Sequence, residues 1–322
     1  MGKVICLGEL LIDMVCPEKD VGLGKGRQFT RAPGGAPANV AVAVSRLGHQ
    51  VGFIGKVGND PFGISLINLL NEENIDTKYL EKIDDIRTTV VFVGIRKDQK
   101  KEMVFYRNPG ADMLISKTQI KTDYFKKASV FHCGSISLID PVSREATEQG
   151  IRVAKNLGLI VTYDPNYRPT LWEKTRNPAN RMRSVLPNVD VVKVSEEEWE
   201  IFSGEKDFVK GCRKIEALGP KLIVISMGES GCFYYTRTIQ GTVKGFKVNV
   251  VETTGAGDAF VGAIISWLVD NSIQPSQLDS LSESQLVEML TFANAAGALA
   301  TLKLGAIPAL PTQEEVIRFL KK

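Results

Sequence analysis

The stretch Val251-Glu252-Thr253-Thr254-Gly255-Ala256-Gly257-Asp258-Ala259-Phe260-Val261-Gly262-Ala263 runs from a glycine-flanked turn into an apolar segment. Ala259, Phe260, Val261, Ala263, Ile264, Ile265, Trp267 and Leu268 leave almost no polar face, which predicts a helix enclosed on all sides. An aspartate at the head of such a helix is costly to bury unless something compensates it. Two readings compete on the local pattern. In one, Thr254 or Asp258 is an ordinary N-cap and Gly255 and Gly257 make the turn. In the other, the helix start is an anion site and Asp258 is held there for chemistry. The rest of the chain has to separate them.

With 322 residues, 43% of them hydrophobic and 24% charged, the chain has the proportions of an ordinary globular protein with a sizeable core. That length fits one large α/β domain or a domain with an appendage. A formal charge of +3, spread along the sequence, argues against nucleic acid as a partner. Cys6, Cys16, Cys133, Cys212 and Cys232 lie far apart, with no C-x-x-C and only two histidines. This points to reduced core residues, not to a zinc site or a disulfide framework. No secretory apolar segment develops before Glu9, and Cys6 weakens a myristoylation reading of Met1-Gly2. No stretch has the length of a membrane span. A cytoplasmic enzyme is the expectation.

The second half alternates β-branched runs with amphipathic segments. Residues 130–133, 159–163, 189–192 and 222–226 read as buried parallel strands. Between them, 143–157, 180–186, 196–202 and 208–218 read as helices. This is the rhythm of a doubly wound, mostly parallel sheet, whose ligands gather at the carboxyl ends of the strands. The first half opens similarly, with strands at 4–8 and 51–57 and helices at 38–47 and 64–73. It then places two strand-like runs, 88–96 and 102–107, in immediate succession around a charged turn at Lys97 to Lys101. That is a hairpin and not a βαβ unit. With 11–16 and 28–31 it predicts a small antiparallel sheet standing off the main one, discontinuous in sequence over approximately 11–31 and 86–113.

Neither the G-x-x-x-x-G-K-[ST] phosphate loop nor the dinucleotide G-x-G-x-x-G is present. Four glycine-rich strand ends stand in their place: Gly8 to Asp13, Gly34-Gly35-Ala36-Pro37-Ala38-Asn39, Gly228-Glu229-Ser230-Gly231 and Gly255 to Asp258. In this order, and over essentially the whole chain, they resemble the ribokinase family of carbohydrate kinases. Thr253 to Asp258 is similar to that family's C-terminal signature, and Gly34-Gly35 followed by Asn39 to its N-terminal one. Tyr106-Arg107-Asn108-Pro109-Gly110-Ala111-Asp112-Met113-Leu114 and Asp164-Pro165-Asn166-Tyr167-Arg168-Pro169 are most similar to the family's fructokinases.

The resemblance implies one ribokinase-like domain over residues 1–322, with the small β-sheet as a lid over a sugar. It implies that Asp258 is the general base and that the backbone of Gly255, Ala256 and Gly257 is the anion hole. The helix start supplies an independent rationale, since N–H groups with the helix dipole behind them stabilise phosphoryl charge without a lysine loop. Asp13, Gly34, Gly35, Asn39, Arg107 and Arg168 are expected around the sugar, and Ser226, Gly228, Gly231, Asn294 and Gly297 along ATP. Glu198 is expected to reach Mg2+ through water, where Ser195 replaces the family's usual asparagine. Glu252 and Thr254, with the Gly305 loop, mark a monovalent-cation site such as K+, with Glu252 in place of the usual aspartate. Ala36 stands where ribokinases carry lysine, and Phe105 where acid-sugar kinases carry tyrosine. Ala36 tells against ribose, and Phe105 favours fructose over 2-keto-3-deoxygluconate, whose kinase is the rival reading. A non-catalytic sugar-binding or regulatory protein is the rival from another class. A homodimer is expected by analogy.

Overall fold

In β1 (Lys3–Leu7), Val4 and Cys6 face one apolar core while Ile5 and Leu7 face another. Period-two alternation therefore gives a strand buried on both sides, which is why it reads as an unbroken apolar run. The computed structural model describes residues 2–96 and 101–321. The strands that follow are β2 (Leu11–Lys19), β3 (Thr30–Gly34), β4 (Val51–Gly58), β5 (Ile75–Ile83), β6 (Val90–Ile95), β7 (Lys101–Tyr106), β8 (Ala128–Gly134), β9 (Ile160–Asp164), β10 (Val191–Ser195), β11 (Leu222–Ser226), β12 (Cys232–Tyr235) and β13 (Gln240–Val243).

Nine strands form the main sheet in the order β13-β12-β11-β10-β9-β8-β1-β4-β5. From β5 to β11 every pairing is parallel, and β12 and β13 close one edge antiparallel. The helices Ala36–Arg46, Ala256–Asp270 and Glu283–Ala300 pack on the core shared by Val4 and Cys6. Pro141–Asn156, Glu196–Ser203 and Phe208–Glu216 pack on the other. Strand order reverses between β1 and β8, with the carboxyl end of β1 on one side of that reversal and those of β9 and β10 on the other, the usual place for a ligand in such a sheet.

The second sheet has the order β3-β2-β6-β7. Its β2/β3 and β6/β7 pairs are antiparallel as expected, but the central β2/β6 pair is parallel. The chain leaves β3 through a helix, β4, a second helix and β5 before it returns, and a crossover of that kind delivers a parallel strand. Of the charged turn, residues 97–100 lie outside the described residues; Lys101 opens β7. Strand β5 and the hairpin β12/β13 were not expected from the sequence. No helix among the described residues is long and apolar enough to cross a membrane.

Candidate active site

Beneath the small sheet lies a cavity of about 470 Å³. Its ceiling is apolar, built by Leu11, Val15, Val91, Val93, Met103 and Phe105. The floor and walls are polar, with six carboxyl side chains (Glu9, Asp13, Asp164, Glu197, Glu252, Asp258) against Lys101, Arg168 and Lys193.

Asp258 is not the N-cap of its helix. The helix begins at Ala256, and its N-cap is Gly255 in the left-handed conformation (φ 84°), with no side chain capping it. The Asp258 carboxylate instead accepts a hydrogen bond from Asn39 Nδ2 at 2.8 Å, across from the helix Ala36–Arg46. Burial raises the Asp258 carboxyl to about 6, with the Asp164 charge adding to the rise and the Asn39 hydrogen bond, Lys193 and Arg168 opposing it. A buried carboxylate with one neutral donor and a raised pKa is poised to take a proton near neutral pH. Ala256 N–H turns back to the Thr253 carbonyl at 3.2 Å. The N–H groups of Gly255 and Gly257 have no acceptor among the described residues.

Gly35 and Ala36 line the opposite wall, and Gly34 ends β3 just before them. Gly35 sits at φ 108°, and a Cβ there would collide with the Glu9 carbonyl, while a Cβ on Gly34 would collide with Asp13 Oδ2. Gly35 meets backbone at a positive φ and so requires glycine, whereas at Gly34 the Asp13 carboxylate would have to move aside. Glu9 Oε1 accepts from Ala36 N–H at 3.0 Å and so holds the turn from behind. Burial raises the Asp13 carboxyl to about 6, opposed by Lys101 and Arg168.

Arg168 reaches the cavity wall as the sequence suggested, its guanidinium near the carbonyls of Tyr167 and Asn166 at 3.3 and 3.5 Å. Arg107 does not. Its Nε pairs with Asp112 at 2.7 Å and its Nη1 with Asp140 at 2.8 Å, behind the Glu9 wall. A guanidinium inside a chain of carboxylates lowers its energy by pairing with them, and the local stretch could not reveal Asp140.

Glu198 is likewise occupied. Its two oxygens accept from Ser195 N–H at 3.0 Å and Tyr167 N–H at 2.5 Å, tying the Asp164–Arg168 turn to the helix start; its neighbour Glu197 lines the cavity. Glu252 accepts from Thr254 Oγ1 at 2.5 Å and Gly305 N–H at 2.7 Å, so these three groups do come together. Lys101 Nζ reaches down from β7 to Thr254 Oγ1 at 2.9 Å.

The residues expected along a nucleotide lie beyond the cavity wall. Ser226 ends β11, and Gly228 and Gly231 hold the positive φ angles of 57° and 98° in the turn to β12. Asn294 spends its amide on the carbonyls of Val243 and Lys244 at 3.3 and 3.2 Å, shaping the loop after β13. A Cβ on Gly297 would meet the Ala256 carbonyl at 3.3 Å, so this helix abuts the turn at Gly255 to Gly257.

Sequence reasoning missed Glu9, Lys101 and Lys193 as cavity groups. The one available signal was Lys193 itself, a lysine inside the apolar run Val191-Val192-Lys193-Val194. Among the described residues no group of three or more His, Cys, Asp or Glu side chains is arranged to hold a metal ion.

A model of the pfkB family carbohydrate kinases matches residues 1–313. The chain is 43% identical to "Probable fructokinase-2" of Arabidopsis thaliana over 321 residues, 99% of this chain and 96% of that one. Among solved structures, a fructokinase with bound ATP from Xylella fastidiosa superposes with a TM-score of 0.92 at 35% identity, covering 99% of this chain and 98% of that one. A fructokinase variant from Vibrio cholerae in a form with fructose, ADP and potassium ion superposes with a TM-score of 0.87 at 33% identity, covering 99% and 98%.

Proposed function

This chain belongs to the pfkB family of carbohydrate kinases, and we propose that it is an ATP-dependent fructokinase acting on the 6-hydroxyl of D-fructose. The observation that carries the proposal is Asp258 on the cavity wall at the start of its helix, bonded to Asn39 and free of any capping duty. ATP would supply the phosphoryl group, and the residues present fit that role: the unpaired N–H groups of Gly255 and Gly257 receive negative charge at a helix N-terminus.

In this reading the 6-hydroxyl oxygen bonds to the γ-phosphorus of ATP as the bond from that phosphorus to the β,γ-bridging oxygen breaks and ADP leaves; Asp258 accepts the hydroxyl proton, and Asn39 holds the carboxylate in line. Asp13, Asn39 and the backbone of Gly34 and Gly35 bind the other sugar hydroxyls, with Arg168 donating beside them. Arg107 supports this wall from behind through Asp112 and Asp140. Ser226, Gly228 and Gly231 follow the nucleotide phosphates and ribose, and Asn294 and Gly297 shape the base pocket. Glu197, on the cavity wall, supplies hard oxygen atoms suited to the water shell of Mg2+, and Glu198, with both oxygens engaged by backbone N–H groups, holds the turn beside it. Glu252, Thr254 and the Gly305 loop form the K+ site in this proposal.

Two features favour a neutral sugar over an acid sugar. The ceiling is apolar, and carboxyl groups outnumber basic groups on the wall, so a carboxylated substrate meets net repulsion. The test is kcat/KM for fructose, ribose and 2-keto-3-deoxygluconate at saturating ATP and Mg2+. Fructose is expected to lead, and greater efficiency on the acid sugar would transfer the assignment to 2-keto-3-deoxygluconate kinase. ATP turnover unaffected by any sugar would favour a sugar-binding protein.

A further inference from the structure

We propose that Lys193 is a further catalytic residue, its ammonium binding a non-bridging oxygen of the phosphoryl group in transfer beside the Gly255 and Gly257 N–H groups. The inference rests on the kinase reading above. Val192 and Val194 of β10 face one core, whereas Val191 faces the core beneath the helix Ala256–Asp270. Alternation puts Lys193 on the Val191 side, directed at that helix.

A lysine buried to 7% exposure within an apolar strand is expensive unless something requires its charge. Asp164 Oδ2, at 3.1 Å, is its one hydrogen-bond acceptor among the described residues. An ammonium has three N–H donors, so this leaves two unspent on a group that lines the cavity. As a purely structural pair, Lys193–Asp164 would gain little, because two apolar residues of similar size commonly serve a core as well. The pair, though buried, lines the cavity. A Cβ on Gly257 would stand 3.0 Å from Lys193 Nζ, so the ammonium sits against the turn whose N–H groups are unpaired.

The other basic groups of the cavity have different employment. Lys101 donates to Thr254, and Arg168 lies against the carbonyls of its own turn. Lys193 is fixed on a central strand, and it keeps its charge: burial alone would lower its pKa, but Asp164, Glu198 and Asp258 hold it above the usual lysine value. An anion hole of two N–H groups with no phosphate-loop lysine acquires in this way a formal positive charge. A preorganised charge of that kind is worth about 10²–10³ in rate.

Four measurements on Lys193→Met, Lys193→Arg and Asp164→Asn test the proposal: kcat, KM for fructose, thermal midpoint, and calorimetric affinity for ATP and ADP without sugar. For Lys193→Met, kcat is expected to fall by about 10²–10³, with KM for fructose within about threefold of wild type. Its preference for ATP over ADP should largely disappear, since the lost contact is to the terminal phosphoryl. Lys193→Arg should recover part of both. Asp164→Asn retains the ammonium and should keep the preference for ATP. Should Lys193→Met fail to fold, the double variant Lys193→Met/Asp164→Asn removes both charges and decides the same question. Retained kcat and ATP preference in the folded Met variant, with only a lowered midpoint, would reduce Lys193 to a structural pair and overturn the proposal. The nucleotide arm needs no sugar, so a wild-type chain inactive on fructose would refute the sugar assignment while leaving Lys193 to be judged on its own.

Discussion

Replacing Asp258 by Asn separates chemistry from stability, because the two move in opposite directions. The Asn side-chain oxygen can still accept from Asn39 Nδ2, so the 2.8 Å bond survives the change. The variant lacks a proton acceptor, and loss of a general base costs about 10²–10⁴ in rate. Stability should rise. In an unfolded chain this carboxyl titrates near its ordinary 3.8, and in the folded protein at about 6. Folding therefore takes up a proton between those values, and the native state loses stability as pH climbs through that window. Above it, the full cost of keeping a buried carboxylate ionised is about 3 kcal/mol, equivalent to roughly 5 °C in a chain of this size. Asp258→Asn removes that cost. The assay is kcat for fructose phosphorylation with thermal midpoints at pH 8 and pH 4. The expected result is collapsed turnover, a raised midpoint at pH 8, and convergence with wild type at pH 4. Wild-type kcat should itself fall on acidification through about 6, where Asp258 becomes protonated. Near-normal turnover of the variant would refute the base assignment.

Arg107→Ala leaves Asp112 and Asp140 without their partner, and breaking such a buried pair costs about 3–5 kcal/mol; the thermal midpoint should drop while fructose KM in the folded fraction changes little. Arg168→Ala should do the reverse, lowering kcat/KM for fructose by roughly 10- to 100-fold, the loss of one charged hydrogen bond, with the midpoint nearly unchanged. Gly35→Ala forces a Cβ against the Glu9 carbonyl at φ 108°, and should abolish fructose binding measured by calorimetry; retained binding would show that the turn has room to move.

The main sheet was legible because its strands are covered on both faces, and a run such as Leu222-Ile223-Val224-Ile225 has no other good use. Legibility fails at the edges. Strand β5 borders solvent, and Asp76, Lys78, Glu81 and Lys82 blur its alternation. The β12/β13 hairpin consists of two four-residue strands without an Asn-Gly or Asp-Gly turn to announce it. The helix start at Gly255 to Asp258 was readable because glycines beside a buried acid are a local signal. Arg107 was not, because its second partner lies 33 positions away on another segment. Lys193 was missed although it interrupts an apolar run, because its neighbour Gly257 comes from a distant part of the sequence, and only the packing of helix on strand joins them.

The apolar ceiling over the polar floor bears on the enzyme's selectivity against water. Leu11, Val15, Val91, Val93, Met103 and Phe105 offer a water molecule no side-chain hydrogen-bond partner. A lone water near Asp258 could bond downward and leave its upper side unsatisfied, a cost of about 1–3 kcal/mol. A sugar ring covers the same ceiling with C–H groups and turns its hydroxyls to the floor. In the proposed reaction the hydroxyl that reaches Asp258 is thereby held by the whole ring, whereas a competing water must hold itself, and idle hydrolysis of the phosphate donor is disfavoured by the shape of the roof.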